Sequence, residues 1–356
     1  MDLSILQNGH TYQEIVRQQE IWQGALASWP DQKKEHQEII EKFRERVWVF
    51  SGCGTSYYLA QTGAALFEMI TGFRTRAVPA SEILAYPHLV FNQHDHHVLV
   101  ALSRSGTTTE IVRAARKTKN ELNCPVLSIS CDATSPLSKE GDHRLTFPFP
   151  AEKSVVMTGS FTTMLLSIVY LALQAKPQNV WSVWLEKIPA VSTDLMRKSE
   201  AAVAAVADRR ETDFVFLAQG PYLGLANEAS LKIKEMSISP SVSYHALEFR
   251  HGPMSIVTGH TLITILVSEA GRTLELQLAE DMKKLGAQVL LLHSSKAPLQ
   301  IAGIDFSLQV PDQFGDLLNS FLYMPLLQLL GYYHARYKGI HPDQPKNLTA
   351  VVTLKD

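Results

Sequence analysis

The sequence predicts an α/β protein in which two tandem units each form a parallel sheet flanked by helices, as in flavodoxin-like or Rossmann-like αβα sandwiches. Short apolar runs alternate with longer helical patterns, which is typical of a parallel sheet with helices on both faces. This alternation occurs twice along the 356 residues. Corresponding positions of the two stretches lie about 165 residues apart, which favours a duplicated unit.

The first unit contains three predicted strands, which are Val47–Phe50, His97–Leu102 and Pro125–Ser130. Each is a short run of apolar residues bounded by polar or glycine-containing turns. Helices are expected after the first two strands, at Tyr57–Ile70 and Ile111–Lys119, because apolar residues recur there near helical spacing.

The second unit repeats this order of elements. Its predicted strands are Asp213–Leu217, Leu262–Val267 and Gln288–Leu292, and helical patterns follow the first two. Several positions match between the units: Gly54 and Gly220, Leu59 and Leu225, Gly106 and Gly271, and Val126 and Val289. Any two α/β units resemble each other to some degree, but the constant offset favours duplication.

The repeat defines the expected domain boundaries. A helical extension precedes the first unit, a helical linker joins the two units, and a short tail ends the chain. These segments are residues 1–45 (extension), 46–175 (first domain), 176–209 (linker), 210–339 (second domain) and 340–356 (tail).

The composition excludes several classes of function. Apolar residues make up 46% and charged residues 19% of the chain, as in ordinary soluble globular proteins. The 33 basic and 35 acidic residues form no basic stripe, so nucleic acid is not expected as a partner. The sequence has no signal peptide and no run of the ~20 apolar residues that span a bilayer. We therefore expect a cytoplasmic protein with no membrane partner, and three cysteines predict no disulfide framework.

Two polar turns, Ser51–Ser56 and Ser103–Thr109, directly follow predicted strands of the first unit. Ligands of open parallel sheets bind beyond the carboxyl ends of the strands. Small hydroxyl residues and glycine at a helix N-terminus can bind an anion through free N–H groups, the helix dipole and hydroxyl donors. Simple helix capping explains either turn alone, but two such turns on neighbouring strands favour an anion site.

The form of these turns favours a phosphate monoester over a nucleotide. Tyr57 stands where the dinucleotide-binding fingerprint requires its third glycine, and no Walker A segment is present. A cradle of Ser and Thr without the Walker lysine suits a single phosphate group better.

The motifs resemble a known family. GCGTS (52–56) followed by SRSGTTTE (103–110) resembles the sugar isomerase (SIS) domain. EASLKIKE (228–235), FRHGP (249–253) and DQPKNL (343–348) resemble the isomerase part of glucosamine-6-phosphate synthase. MTGSFTT (157–163), together with FRHGP, is similar to the ketose/aldose isomerase group that contains galactosamine-6-phosphate deaminases. The resemblance spans about residues 11–354 and implies two tandem SIS domains.

The resemblance implies a binding site for the phosphate of a hexose 6-phosphate substrate. Its ligands would come from both hydroxyl-rich turns: Ser56, Ser103, Ser105 and Thr108, with Thr55 and Arg104 nearby. The family and the chemistry of the turns thus agree on the first unit.

The resemblance also implies the proton-transfer residues of the second unit. Glu235 corresponds to the family base, which moves a proton between C2 and C1 of the sugar. Lys232 lies three residues earlier and hence on the same helix face, although such a pair is often only a surface ion pair. His251 corresponds to the histidine that opens the sugar ring. The alternative is a structural role, in which its ring forms a hydrogen bond with the backbone of the local turn. Glu248 precedes this loop and could support it.

In the family this histidine reaches into the site of the neighbouring subunit. The resemblance therefore implies a homodimer with shared active sites. It also implies that the two units build one site, with the phosphate turns in the first and the proton-transfer residues in the second. The second unit has Gln219-Gly-Pro221 and Ser268-Glu-Ala-Gly271 in place of the hydroxyl-rich turns.

Departures from the synthase pattern narrow the expected reaction. The sequence begins Met1-Asp2 and shows no glutaminase domain, so glutamine-dependent amination is not expected. Ala350 stands where the synthase has its Schiff-base lysine, while Lys346 and Lys355 are out of register. Met157 stands in a segment where the synthase has a substrate-binding serine.

These departures favour a deaminase/isomerase that converts a 2-amino-2-deoxy-hexose 6-phosphate to a ketohexose 6-phosphate and ammonia. A deglycase for fructosamine 6-phosphates, a plain aldose/ketose isomerase and a non-catalytic sugar-phosphate sensor are the alternatives. This chemistry needs no cofactor and no metal. His94-Asp-His-His97 has metal-ligand residue types, but it precedes a strand and is interpreted as a solvated turn, and Cys53 is interpreted as a packing residue.

Overall fold

A computed structural model describes residues 7–147, 152–176, 180–208, 213–294, 299, 301 and 303–349. The chain divides into two compact units. The N-unit is built chiefly from Arg17–Glu152 and Gly159–Pro189, and the C-unit from Lys153–Thr158, Ala190–Leu348 and the residues up to Val16. Each unit is described separately below.

Ten strands of the described residues form two sheets. In chain order they are β1 (Val47–Gly52), β2 (Thr75–Pro79), β3 (His97–Ser103), β4 (Val126–Ser130), β5 (His143–Thr146), β6 (Asp213–Ala218), β7 (Ser241–His245), β8 (Thr261–Leu266), β9 (Gln288–Ser294) and β10 (Phe306–Val310).

Helices alternate with these strands. In chain order they are α1 (His10–Val16), α2 (Gln18–Ser28), α3 (Lys33–Phe43), α4 (Thr55–Thr71), α5 (Ala80–Ala85), α6 (Pro87–Val90), α7 (Thr109–Asn120), α8 (Pro136–Glu140), α9 (Gly159–Leu173), α10 (Val180–Ala207), α11 (Leu223–Ser237), α12 (Arg272–Lys284) and α13 (Gly315–Tyr337). Short 3₁₀ turns span Trp29–Gln32, Gly220–Tyr222, Leu247–Arg250, Pro253–Ile256 and Asp312–Phe314.

Both sheets are parallel and have equivalent strand orders. The order is β2-β1-β3-β4-β5 in the N-unit and β7-β6-β8-β9-β10 in the C-unit. In this arrangement the direction of winding reverses between β1 and β3, and likewise between β6 and β8. Ligands of doubly wound sheets bind beyond the carboxyl ends of the strands at such a switch point. The predicted α/β fold with two parallel sheets is therefore confirmed.

The predicted strands are the central ones of each sheet. Val47–Gly52 is buried at every position, because helices cover both faces of the sheet. The prediction of Leu262–Val267 is one residue late, since β8 begins at Thr261 and ends at Leu266. Helix α10 lies within the segment 176–209, for which the sequence predicts a helical linker. The extension before β1 contains α1, α2 and α3.

Gly63 lies inside α4, where a glycine weakens a helix prediction. In the N-unit α4 packs against α9, and a Cβ atom on Gly63 would lie 2.7 Å from Cδ1 of Ile168. The close approach of these two helices explains why the smallest residue stands there. No helix among the described residues is both long enough and apolar enough to cross a lipid bilayer.

Candidate functional site

The first hydroxyl-rich turn of the N-unit follows β1 at the switch point. The N–H of Ser56 donates to the carbonyl of Cys53 (3.0 Å), so the turn passes directly into the first turn of α4. Gly54 occupies the N-cap position with a φ of 53° and has no side chain to cap the helix. Thr55 and Ser56 are both buried. The hydroxyl of Ser51 is also buried, and it has no hydrogen-bond partner among the described residues.

The second turn follows β3, which is the hydrogen-bonded neighbour of β1. Within the turn, Oγ of Ser103 accepts a hydrogen bond from the N–H of Gly106 (3.1 Å), and Oγ of Ser105 accepts from the N–H and the hydroxyl of Thr107. Gly106 has a φ of 63°, and a Cβ atom there would lie 2.1 Å from Oγ of Ser135. Glycine is therefore required by both conformation and space.

Two hydroxyls of the second turn do not act as simple helix caps. Thr108 is the N-cap residue of α7, yet its side chain makes no capping hydrogen bond. Ser103 is 3% exposed, and no described residue accepts the proton of its hydroxyl. Buried polar groups in proteins normally have partners. Helix capping therefore does not explain these two hydroxyls of the second turn, whereas a bound anion would give them an acceptor.

Arg104 of the second turn is part of a buried ion pair. Its Nη1 lies 3.0 Å from Oε2 of Glu152, and the two side chains are 15% and 5% exposed. The same carboxylate accepts hydrogen bonds from the N–H (2.8 Å) and the hydroxyl (2.5 Å) of Ser160, in the first turn of α9. The sequence predicts Arg104 as a nearby cation, and the structure shows that Glu152 fixes its direction.

The C-unit contains a counterpart of the second turn between β8 and α12. The N–H of Gly271 donates to Oγ of Ser268 (3.0 Å), as Gly106 does to Ser103. Here, however, the buried carboxylate of Glu275 accepts hydrogen bonds from both the N–H (2.7 Å) and the hydroxyl (3.0 Å) of Ser268. The chain's own carboxylate thus accepts the hydroxyl of Ser268, whereas no described residue accepts the hydroxyl of Ser103.

Burial dominates the electrostatics of Glu275. It raises the pKa of this carboxyl to about 7, against the opposing effect of the two bonds from Ser268 and with a smaller contribution from the negative charge of Asp316. The Gln219-Gly-Pro221 segment, which corresponds to the first turn, leads into a 3₁₀ turn at Gly220–Tyr222 and offers no hydroxyl cradle.

Helix α11 of the C-unit carries a row of three charged residues. Nζ of Lys232 lies 3.0 Å from Oε1 of Glu228 and 2.5 Å from Oε2 of Glu235. The side chains of Lys232 and Glu228 are fully buried, whereas that of Glu235 is 18% exposed. Burial disfavours the ammonium, but the two carboxylates outweigh it and raise the pKa of Lys232. The pair of Lys232 and Glu235 is therefore no exposed surface ion pair, and Glu235 is the acid that reaches solvent.

His251 lies in an exposed loop of the C-unit, at the end of the 3₁₀ turn Leu247–Arg250. Its backbone N–H donates to the carbonyl of Glu248 (3.0 Å), and this bond closes the turn. Phe249 anchors the loop in the core, and Met254 and Ile256 beyond it are 38% and 45% exposed. The contacts found among the described residues do not join His251 to Glu235.

Other residues that the sequence singles out lie in the C-terminal segment and at Met157. Asp343 of the DQPKNL segment accepts hydrogen bonds from the N–H groups of His10 (2.7 Å) and Thr11 (2.8 Å), and so caps α1. Lys346 is exposed and Met157 is buried. Ala350 and Lys355 lie outside the described residues.

The His94–His97 segment is organised by an ion pair between Asp95 and Arg74 (2.8 Å). The described part of the chain contains no group of three or more His, Cys, Asp or Glu side chains that could hold a metal ion.

Three acidic residues of these networks were missed by the sequence reasoning. Glu228 could have been found, because it stands four residues before Lys232 on a predicted helix. Glu275 stands seven residues after Ser268, as Glu110 does after Ser103, so the repeat also contained a signal for it. Glu152 has no local signal, since its cationic partner Arg104 lies 48 residues earlier in the sequence.

Comparisons with known proteins show what the chain is similar to. Residues 43–174 match the family model of the SIS domain. The chain is 29% identical over 328 residues to a glutamine–fructose-6-phosphate aminotransferase (isomerizing) from Sulfurisphaera tokodaii, covering 90% of this chain and 52% of that protein. It therefore spans about half the length of the curated relatives that it matches.

Solved structures match over nearly the whole chain. A glucosamine-6-phosphate deaminase from Thermotoga maritima is 29% identical, with a TM-score of 0.82 and coverage of 97% of this chain and 100% of that one. A tagatose-6-phosphate ketose/aldose isomerase from Escherichia coli shares the fold, with 22% identity, a TM-score of 0.86 and coverage of 98% and 97%. Residues 43–174 are therefore similar to the SIS domain, while the membership of the whole chain in that family and the tandem arrangement of two such domains stay predictions.

Proposed function

We propose that the protein is an amino-sugar-phosphate deaminase/isomerase that converts glucosamine 6-phosphate or galactosamine 6-phosphate to a ketohexose 6-phosphate and ammonia. The observation that carries this proposal is the row of charges on α11. It presents the partly exposed carboxylate of Glu235 beside the fully buried ammonium of Lys232. A base that moves a proton between carbon atoms needs both access to the substrate and a fixed countercharge. The 29% identity to the Thermotoga maritima deaminase along its entire length supports this reaction.

The two turns of the N-unit would bind the phosphate group. Ser103 and Thr108 have hydroxyls that are not engaged in capping, and Ser105 lies between them. Thr55 and Ser56 are at the N-terminus of the 17-residue helix α4, whose dipole favours an anion. In this proposal Arg104 contributes a cation. Phosphate contacts of this kind hold the substrate equally in the ground and transition states, so they act on KM.

Glu235 would then catalyse the proton transfer. In the open-chain aldehyde form, its carboxylate removes the proton from C2, and the electron pair forms a C1–C2 double bond while the carbonyl oxygen at C1 takes up a proton. Return of the proton to C1 gives a C2 imine. Water adds to this imine and ammonia leaves, so one water is consumed and one ammonia is released for each ketose formed. Lys232 would hold Glu235 in place and bond a sugar hydroxyl.

His251 would open the sugar ring by moving a proton to the ring oxygen. Its exposed position in the loop, beside the exposed side chains of Met254 and Ile256, supports a role in the active site of a second copy. The proposal therefore includes a homodimer with shared sites. Mixing the inactive variants Glu235→Gln and His251→Ala should then restore part of the activity. A mixture as inactive as its components would contradict the sharing.

The reaction itself is tested by supplying glucosamine 6-phosphate and galactosamine 6-phosphate and measuring ammonia. Ammonia release from at least one of them is expected, and its absence from both would refute the deaminase. Interconversion of aldose and ketose without ammonia would identify a plain isomerase, and binding without turnover would identify a sensor. The Glu235→Gln variant should lose turnover by at least 100-fold and keep its affinity for inorganic phosphate. An active variant would refute the assignment of the base.

A further inference from the structure

Glu152 is a buried carboxylate that the proposed reaction does not use. One of its oxygens, Oε2, lies 3.0 Å from the Arg104 guanidinium and accepts the hydroxyl of Ser160, while Oε1 accepts the N–H of Ser160. Only 5% of its side chain is exposed. A carboxylate is not left in such a place without a compensating cation and hydrogen bonds, because its desolvation costs several kcal/mol. Glu152 therefore ties the second hydroxyl-rich turn to the first turn of α9.

The backbone of Arg104 is fixed as well as its side chain. Its carbonyl accepts the N–H of Cys131 (3.1 Å), directly after β4. Burial raises the pKa of the Cys131 thiol. The negative charge of Glu152 raises it further, and the positive charge of Arg104 lowers it. The ion pair thus lies where the turn after β3, the loop after β4 and α9 meet within the N-unit.

We propose that Glu152 is a positioning residue for phosphate binding, acting through Arg104. This inference rests on the proposed function, because it takes the turn at 103–108 as the phosphate cradle. Ser103 precedes Arg104 and Ser105 follows it, so the anchored arginine sets the direction in which both hydroxyls are presented. Donors that are held in place before the ligand arrives bind it at a lower entropic cost.

The test compares inorganic phosphate binding by calorimetry in matched variants of the full chain. Glu152→Gln keeps the shape of the side chain and removes its charge, and we expect about tenfold weaker binding. Steady-state assays should show a similar rise in KM at an unchanged kcat, because the phosphate contacts act in the ground and transition states alike. In an Arg104→Gln background, Glu152→Gln should have no further effect on phosphate affinity.

Two controls separate positioning from stability. Ser160→Ala removes one hydroxyl bond to Glu152 but keeps the ion pair, so phosphate affinity should not change. Glu140→Gln breaks the more exposed pair of Glu140 and Arg116 in the same unit, and its phosphate affinity should equal that of the wild type. If Glu152→Gln fails to fold, Arg104→Gln probes the pair from the other side and should weaken binding to a similar degree.

Several outcomes would overturn the inference. An unchanged phosphate affinity in Glu152→Gln or Arg104→Gln would do so, and so would additive effects in the double variant. A loss in Ser160→Ala as large as that in Glu152→Gln would assign the effect to the helix rather than to Arg104. If the wild type binds phosphate and Ser103→Ala weakens this binding while Glu152→Gln does not, only the present inference fails. If the wild type binds no phosphate, the proposed cradle fails together with it.

Discussion

Replacing Glu275 with glutamine should remove a pH dependence of stability from the C-unit. Burial raises the pKa of this carboxyl from its usual value of 4.5 to about 7. Between these values the folded chain holds a proton that the unfolded chain has released, so the contribution of Glu275 to stability is present at low pH and is lost as pH rises. At about 1.4 kcal/mol for each pH unit, the difference amounts to about 3 kcal/mol.

The assay is urea denaturation followed by far-UV circular dichroism at pH 4 and pH 8. All five tryptophans lie in the N-unit, so tryptophan fluorescence alone would not report on the C-unit. Between these pH values the wild type should lose about 3 kcal/mol more unfolding free energy than Glu275→Gln. Other titrating groups are common to both proteins and cancel. Glu280→Gln, at an exposed position of the same helix, should behave as the wild type does. Equal pH dependence in wild type and Glu275→Gln would refute the reasoning.

Three further predictions concern stability. Gly106→Ala should lower the unfolding free energy by at least ~2 kcal/mol more than Gly54→Ala. Both glycines have a positive φ, but only Gly106 lacks space for a Cβ atom. Equal losses of unfolding free energy in urea titrations would contradict this prediction. Burial lowers the pKa of His36 to about 4, so the folded state keeps it neutral and the wild type should lose about 3 kcal/mol of unfolding free energy as pH falls from 6.5 to 4. His36→Leu should not show this loss. A loss of the same size in tryptophan-detected urea titrations of the variant would count against the prediction. Lys232→Met should lower the unfolding free energy by about 3–5 kcal/mol, because it leaves buried carboxylates without a cation. The exposed control Lys198→Met should lower it by less than ~1 kcal/mol. Similar losses for the two variants in unfolding followed by circular dichroism would disprove the role of burial.

The sequence allowed the central strands of both sheets to be predicted, but not the outer ones. Each predicted strand is covered on both faces and therefore appears as a continuous apolar run. Four strands at or near the sheet edges are only partly buried, so they lack this signal and were missed: β2 (Thr75–Pro79), β5 (His143–Thr146), β7 (Ser241–His245) and β10 (Phe306–Val310).

The candidate site was predictable only in part, for a related reason. Hydroxyl-rich turns after strands are visible as local patterns, as are charges at helical spacing such as Lys232 and Glu235. The partner of Arg104 was not visible, because Glu152 lies 48 residues further along the chain and only the fold brings the two together. Likewise, the sequence could not show that Glu275 occupies the donors of its own turn, since this depends on how the side chain folds back.

The contrast between Ser103 and Ser268 has a consequence for how the two halves respond to metabolite supply. A turn that satisfies its own donors gains nothing from a ligand, whereas a turn with an unmet donor is stabilised in proportion to the logarithm of ligand concentration. If the turns of the N-unit bind phosphate as proposed, the thermal stability of that unit should follow the concentration of inorganic phosphate, and the turn at Ser268 should contribute nothing to this response. Because every tryptophan lies in the N-unit, thermal unfolding followed by intrinsic tryptophan fluorescence would report how far the turns of this unit are occupied by ligand.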